Sequence, residues 1–370
     1  MEKVSTNQTL QTRLKVLYGD NDTDITTSLM PDLLSLSYTD NETNTADEVS
    51  ITLKDEKGKW AGTWKPEGGD TVKVTIISGT ILAPKKTLNC GTFYVDTLSV
   101  SGSPRVFEIR AVSIPLNTPI RKRIRSKSWE KVTLKDIAQT IAKDNKLSLL
   151  FDTKENPSYD RQDQQRESDL KFLGRLSEEA GLSLKVTGTK LVVFDQSYYE
   201  KKAPIATIKL GVDNILSWSF EQAQSETYKS VNVTYRNPKL KKKDSAGGER
   251  LNAPGKTEKK NKTKNPAVLT YIYTDPDADE DGQEYMLKKR ASSVEEAKRL
   301  ARAKLRQLNL KSVTGSITLI GNTRMVAGVV VKIVGFGSFD GNFYIESADH
   351  EVSSSGYTTT INIRRVNTKY

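Results

Sequence analysis

A chain of 370 residues is longer than one hydrophobic core serves, so two or three domains are expected. Its 36% hydrophobic residues include no run near the length of a membrane span, and one cysteine (Cys90) with one histidine (His350) excludes an internal disulfide and leaves a His/Cys zinc site short of ligands. The net charge of +11 resides in two runs, eleven Lys and Arg against three acidic residues from Arg236 to Lys264 and six against one from Arg121 to Lys131, which argues against a folded basic stripe for nucleic acid.

The start, MEKVSTNQTLQTRLKVL, shows no basic segment followed by an apolar one, so synthesis and assembly in a cytoplasm are expected. From Leu10 to about Pro115 short alternating runs, such as Arg13–Leu17, Val49–Leu53 and Val72–Ile76, are separated by Asp, Asn and Gly turns. Strands with no intervening helix predict a small antiparallel barrel or sandwich, residues 1–118. Trp60 and Trp64, beside the Pro66–Gly69 turn, suit packing better than a carbohydrate or partner site.

Residues 119–203 have a different composition. The basic run from Arg121 leads to Trp129, expected to anchor the segment to the barrel, with an acidic partner as the other role for its neighbours. Thr133 and Asp136 form a capping box for a helix whose buried face is Leu134, Ile137, Ala138, Ile141 and Ala142. A strand follows at Leu147–Phe151, and then the stretch Tyr159–Gly181. In it Ser168 is the N-cap, Asp169 suits the positive end of the helix dipole, Leu170, Leu173, Leu176 and Ala180 share a face, and Gly181 ends the helix. Leu184–Val186 and Lys190–Phe194 close a hairpin, giving a small α+β module.

The order of residues here carries more than the periodicity. Arg125-Ser-x-Ser-Trp129, Thr133-Leu-x-x-Ile-x-x-x-Ile-Ala142, and the Gln-rich approach to Ser168-Asp-Leu, Phe172-Leu, Arg175-Leu, Glu179 and Gly181 resemble the phage late control protein D family. These are hub proteins of contractile-tail baseplates, to which the hub half of type VI secretion spike proteins is similar. The resemblance implies a structural protein of the virion or tail particle, a homotrimer meeting a trimeric spike and the tail tube or its initiator, with tape measure and baseplate wedge proteins as further candidates. No spike repeat or lysozyme-like part is visible, so a separate spike polypeptide is expected.

After Pro204 the strand pattern returns, and residues 204–370 read as a second barrel. Arg236–Lys264, rich in Lys, Gly, Pro and Asn, is expected to be a disordered excursion. Asp277, Asp279, Asp281 and Gly282 match the opening of a calcium loop, but Lys288 stands where the bidentate Glu is needed and no helix precedes it, so an acidic turn is the better reading. A helix is predicted over 293–309, capped by Ser293 with Glu296.

The end of the chain repeats the end of the first domain. Val72–Val74, Gly91–Thr97 and Phe107–Arg110 correspond to Val331–Ile333, Gly341–Ser347 and Ile361–Arg364. The fold class expected is α+β and mainly β, two related antiparallel β-barrels joined by the small module. Three such chains in a ring present six barrels, which lets a six-fold tube meet a three-fold spike. His350, before a Gly-Tyr-Thr turn, is expected to pack or cap that turn. No catalytic, cofactor or metal residue is assigned, because no nucleophile elbow, ligand cluster or phosphate loop is present. Paired carboxylates leave a tail-tip cell-wall hydrolase as the alternative, and the basic runs leave DNA binding as the third reading.

Overall fold

The computed structural model describes residues 11–43, 45–79, 85–114, 118–223, 227–236, 251–252, 268–275 and 282–366. The early alternating runs form β1 (Gln11–Tyr18), β2 (Leu33–Asn41), β3 (Glu48–Lys54), β4 (Thr71–Gly79), β5 (Lys86–Ser101) and β6 (Val106–Val112). They pair antiparallel in the order β1-β4-β5-β6-β3-β2. Alternate residues of every strand, among them Val16, Leu36, Ile51, Val74, Phe93 and Phe107, meet in one core. A six-stranded sheet that fills one core with one face has to curl around it.

Residues 124–194 build the α+β module. β7 (Ile124–Thr133) and β9 (Ser158–Ser168) pair as a ribbon. β8 (Ser148–Asp152), β10 (Ser183–Val186) and β11 (Lys190–Phe194) form a small sheet, and α1 (Leu134–Asp144) and α2 (Asp169–Glu179) supply the rest of a common core. The capping box of α1 and the Ser168 cap of α2 form as predicted, and Gly181 follows α2 with φ +74°. Trp129 packs inside this core, stacked on Phe172 at 6.1 Å, rather than on the barrel as the sequence suggested. Phe172 sits one turn from Leu176 and completes the same apolar face, so the aromatic pair holds the ribbon to α2.

The last part contains β12 (Ala206–Lys209), β13 (Ile215–Gln222), β14 (Tyr228–Arg236), β15 (Val268–Thr274), β16 (Gln283–Ala291), α3 (Val294–Asn309), β17 (Val313–Ile320), β18 (Val330–Val334), β19 (Gly341–Ser353) and β20 (Gly356–Arg365). Six of these pair as β12-β18-β19-β20-β17-β13. Apart from the two-residue strand Thr23–Asp24 at the edge of β1, each six-strand unit therefore has its first, fourth, fifth, sixth, third and second strand side by side. One pairing differs, since β12 runs parallel to β18 where β1 runs antiparallel to β4.

The remaining strands do not extend the second barrel. β14, β15 and β16 form a separate sheet, joined by Leu251–Asn252 from the stretch expected to be unfolded, and α3 covers it over its own core of Val231, Val233, Leu300 and Leu305. This sheet enters between the second and third strands of the second unit, where the first unit has only residues 42–47. The insertion splits the repeat in sequence and hides half of it. The rest of 237–264, and residues 276–281 with Asp277, Asp279 and Asp281, lie outside the described residues.

Among the described residues no hydrogen-bonded pair joins the first strand to the second in either unit. Instead β2 of the first unit pairs antiparallel with β19 of the second, from Asn41↔Ser347 to Ser35↔Ser353. The two units are one continuous sheet.

Candidate functional site

Registers make the internal repeat exact enough to carry residue equivalences. β5 shifts register against β6 between Val95 and Thr97, and β19 against β20 between Ile345 and Ser347. β2 shifts against β3 between Leu33 and Ser35, and β13 against β17 between Ile215 and Ser217. Beside the first bulge the Gly69 N–H donates to the Val95 carbonyl at 2.8 Å, and beside its counterpart Gly328 donates to Ile345 at 2.9 Å. Both glycines take positive φ, +94° and +86°. Followed through these ladders, Ser50-Ile-Thr-Leu53 falls on Ser316-Ile-Thr-Leu319, an identical tetrapeptide, and Leu33–Tyr38 falls on Ile215–Phe220. Neither match was read from the sequence. The match made there for the sixth strand is out by two: Ile109–Val112, not Phe107–Arg110, faces the positions of Ile361–Arg364. A slip of two keeps every side chain on its face, so hydropathy alone is blind to it.

Where β2 meets β19 the seam is polar and buried. His350 is fully buried, its ring stacked on Tyr38 at 5.9 Å, with Nδ1 2.7 Å from the Tyr357 hydroxyl and 3.2 Å from Thr359 Oγ1. Burial lowers its pKa to about 4, so the ring is neutral near pH 7 and packs as expected. Asp40 joins three parts of the molecule: one oxygen lies 3.1 Å from Lys185 Nζ on β10, and the other accepts from the Ala327 N–H at 2.9 Å. Lys185 also lies 3.1 Å from Asp47. Burial alone would lower the Lys185 pKa, but the two carboxylates outweigh it and the shift is upward.

A second polar knot shares Glu42, Gln196 and Arg306 with the lining of a cleft of about 950 Å³ between the module, α3 and the 42–47 loop. Glu200, at the end of the short helix Gln196–Glu200, receives Arg306 Nη2 of α3 at 2.7 Å and Arg364 Nη2 of β20 at 2.5 Å. Arg364 is fully buried and lies over the Tyr344 ring at 4.7 Å. Glu42 accepts from the Tyr344 hydroxyl and, at 2.6 Å, from Gln196, and burial pushes its pKa up to about 7 against those bonds. A buried pair of this kind adds little net stability but is strongly destabilising to break, so the knot acts as a lock on relative placement. Asp169, fully buried at the start of α2, plays the same part in the module, accepting from Gln164 at 2.9 Å and from Asn145 at 3.3 Å, with Arg125 at 3.4 Å.

Trp60 is buried and donates to Asp32 at 2.9 Å, whereas Trp64 is 46% exposed against its edge. Among the described residues no group of three or more His, Cys, Asp or Glu is placed to hold a metal, and no helix is long and apolar enough to cross a membrane. The geometry is that of joints: two equivalent units, one seam and two buried knots.

Comparison with known proteins agrees with that character. The chain is 27% identical over 369 residues to the probable baseplate hub protein of Escherichia phage 186, covering 93% of this chain and 90% of the relative. It is 34% identical over 171 residues to that of Escherichia phage P2, where the match spans 46% of this chain and 42% of the relative. The fold is similar to the tail protein from Neisseria meningitidis MC58 (TM-score 0.67, 14% identity, 97% and 98% of the two chains) and to the 43 kDa tail protein of prophage MuSo2 from Shewanella oneidensis (0.68, 15%, 97% and 100%). It is also similar to the E. coli c3393 protein, a component of the type VI secretion system (0.54, 12%, 92% and 75%). The family described as phage tail baseplate hub (GPD) matches residues 115–356, and the chain belongs to that family of virion tail proteins.

Proposed function

We propose that this hub acts in a contractile tail as a homotrimeric ring that adapts the six-fold tail tube to the three-fold spike, through assembly and without an active site. The observation that carries the reading is the duplicated six-strand unit, alike in strand order, in both bulges and in the Ser-Ile-Thr-Leu strand. A protein that repeats one surface twice per chain presents six copies of it from three chains, while its inserted parts remain three-fold. In this reading the chain is two barrel-like domains, 1–118 and 204–370, bridged by the module 119–203. Its partners are the spike and the tube or its initiator. The sealing of His350 beneath Tyr38 and Tyr357 supports a structural role for the chain's single histidine.

Light scattering across a concentration series, with and without the separately expressed spike, tests the ring. A particle of three times the 41.2 kDa chain mass is expected. A monomer under every condition, spike included, overturns the adapter.

A further inference from the structure

The small sheet of the module has an unpaired edge. Its strands lie in the order β10-β11-β8, so β10 (Ser183–Val186) is bonded on one side only. The Thr187 N–H donates to the Lys190 carbonyl at 2.8 Å, which sets the bonded pairs of this hairpin at Lys185 with Val192 and Ser183 with Phe194. The N–H and C=O groups of Leu184 and Val186 therefore point away from β11, and no hydrogen bond from the described residues reaches them. Natural sheets guard such an edge with a charge or a covering segment. Lys185, the only charged side chain of β10, is instead held 3.1 Å from both Asp40 and Asp47.

This edge borders the cleft of about 950 Å³, whose lining includes Ser183, Leu184 and Val186. Neighbouring strands lie about 4.8 Å apart, so a cleft of that size beside the edge has room for another. Its charges are unbalanced. The acids that line it are each engaged within the fold, Glu42 by Tyr344 and Gln196, Glu178 by Gln307 and Glu346 by Arg364. The lining cations Arg121, Lys171 and Lys311 have no carboxylate of the described residues in salt-bridge reach. Arg121 Nε is buried without an acceptor, and burial lowers the pKa of this guanidinium against the pull of Asp96. Arg306 is 9% exposed, with Nη2 on Glu200 and Nη1 buried without an acceptor. Guanidinium groups placed in this way are complemented by a carboxylate brought to them.

We infer that the cleft receives an extended acidic peptide segment of a partner protein, which adds to the sheet along the open edge of β10 while its carboxylates meet Arg121, Lys171 and Lys311. A peptide backbone supplies the alternating donors and acceptors that Leu184 and Val186 lack, which a small anion does not. Leu170, Ala303 and Leu310 line the same cleft, so aliphatic side chains between the acidic ones are accommodated.

Two measurements on the full chain test this. Fluorescence anisotropy of a labelled heptapeptide alternating Glu and Val reads the charge, and amide hydrogen exchange over residues 182–187 reads the edge. The Glu peptide should bind at least tenfold more tightly than the same peptide with Lys in place of Glu. Lys171→Glu combined with Lys311→Glu, both at exposed positions, should abolish that preference. Bound peptide should slow exchange in 182–187 at least tenfold, through Leu184 and Val186. Equal binding of the two peptides, or none, overturns the acidic occupant, and binding that leaves 182–187 unprotected overturns the added strand. Protection that appears without peptide and grows with protein concentration identifies a second copy as the occupant and overturns the partner.

Discussion

His350 shows how a residue can be read correctly in role and only partly in environment. Its turn, with Tyr357, was visible in sequence; the other ring that seals it, Tyr38, comes from β2 and depends on a seam that no local pattern announces. Its folded pKa, about 4, is below the ordinary value, so the unfolded chain takes up the proton first. Stability is therefore unaffected by this group above pH 6.5 and falls as pH drops toward 4, by about 3 kcal/mol if His350 acted alone. Glu42 has the opposite sign: its raised pKa, about 7, favours the fold when protonated and that contribution is lost as pH rises. The test is a comparison of urea midpoints for wild type and His350→Gln at pH 7 and pH 4.5. The variant should lose less stability between the two; an equal loss refutes the assignment.

At the scale of elements, helices were legible because caps and a 3.6-residue period act locally, as at Thr133, Ser168 and Ser293. The ribbon of β7 and β9 was not, since Arg161–Gln164 and Lys127–Glu130 carry little apolar alternation and pair through polar contacts such as Ser128 to Asp163 at 2.7 Å. The repeat was seen where glycine and aromatics mark it and missed where serine and threonine do. The identical Ser-Ile-Thr-Leu strands were within reach, but the inserted sheet disguised their order. Equivalence of the bulges predicts equivalent penalties. Gly69→Ala and Gly328→Ala each force a side chain into positive φ with little else nearby, at a cost of about 1 kcal/mol. Denaturant midpoints for the two variants should fall together; a loss at one and none at the other would break the correspondence.

For the whole molecule, the repeat also places side chains on a common rim. Leu34 and Leu216 occupy the same position in the two units, 41% and 56% exposed, and line a groove of about 540 Å³ with Met30 and Ile320. In the proposed ring this rim carries six equivalent leucines, as a six-fold partner requires. Leu34→Asp combined with Leu216→Asp should leave the particle mass unchanged while reducing tube-protein cosedimentation at least tenfold. Unaltered cosedimentation would move the tube to another face.

The seam between β2 and β19 has a kinetic meaning as well. Half of the joints in a six-unit ring are made when each chain folds, at the high effective concentration of a tethered partner, and need no affinity of their own. Three encounters replace six, and a ring missing one unit is no longer a possible error, because units arrive only in pairs.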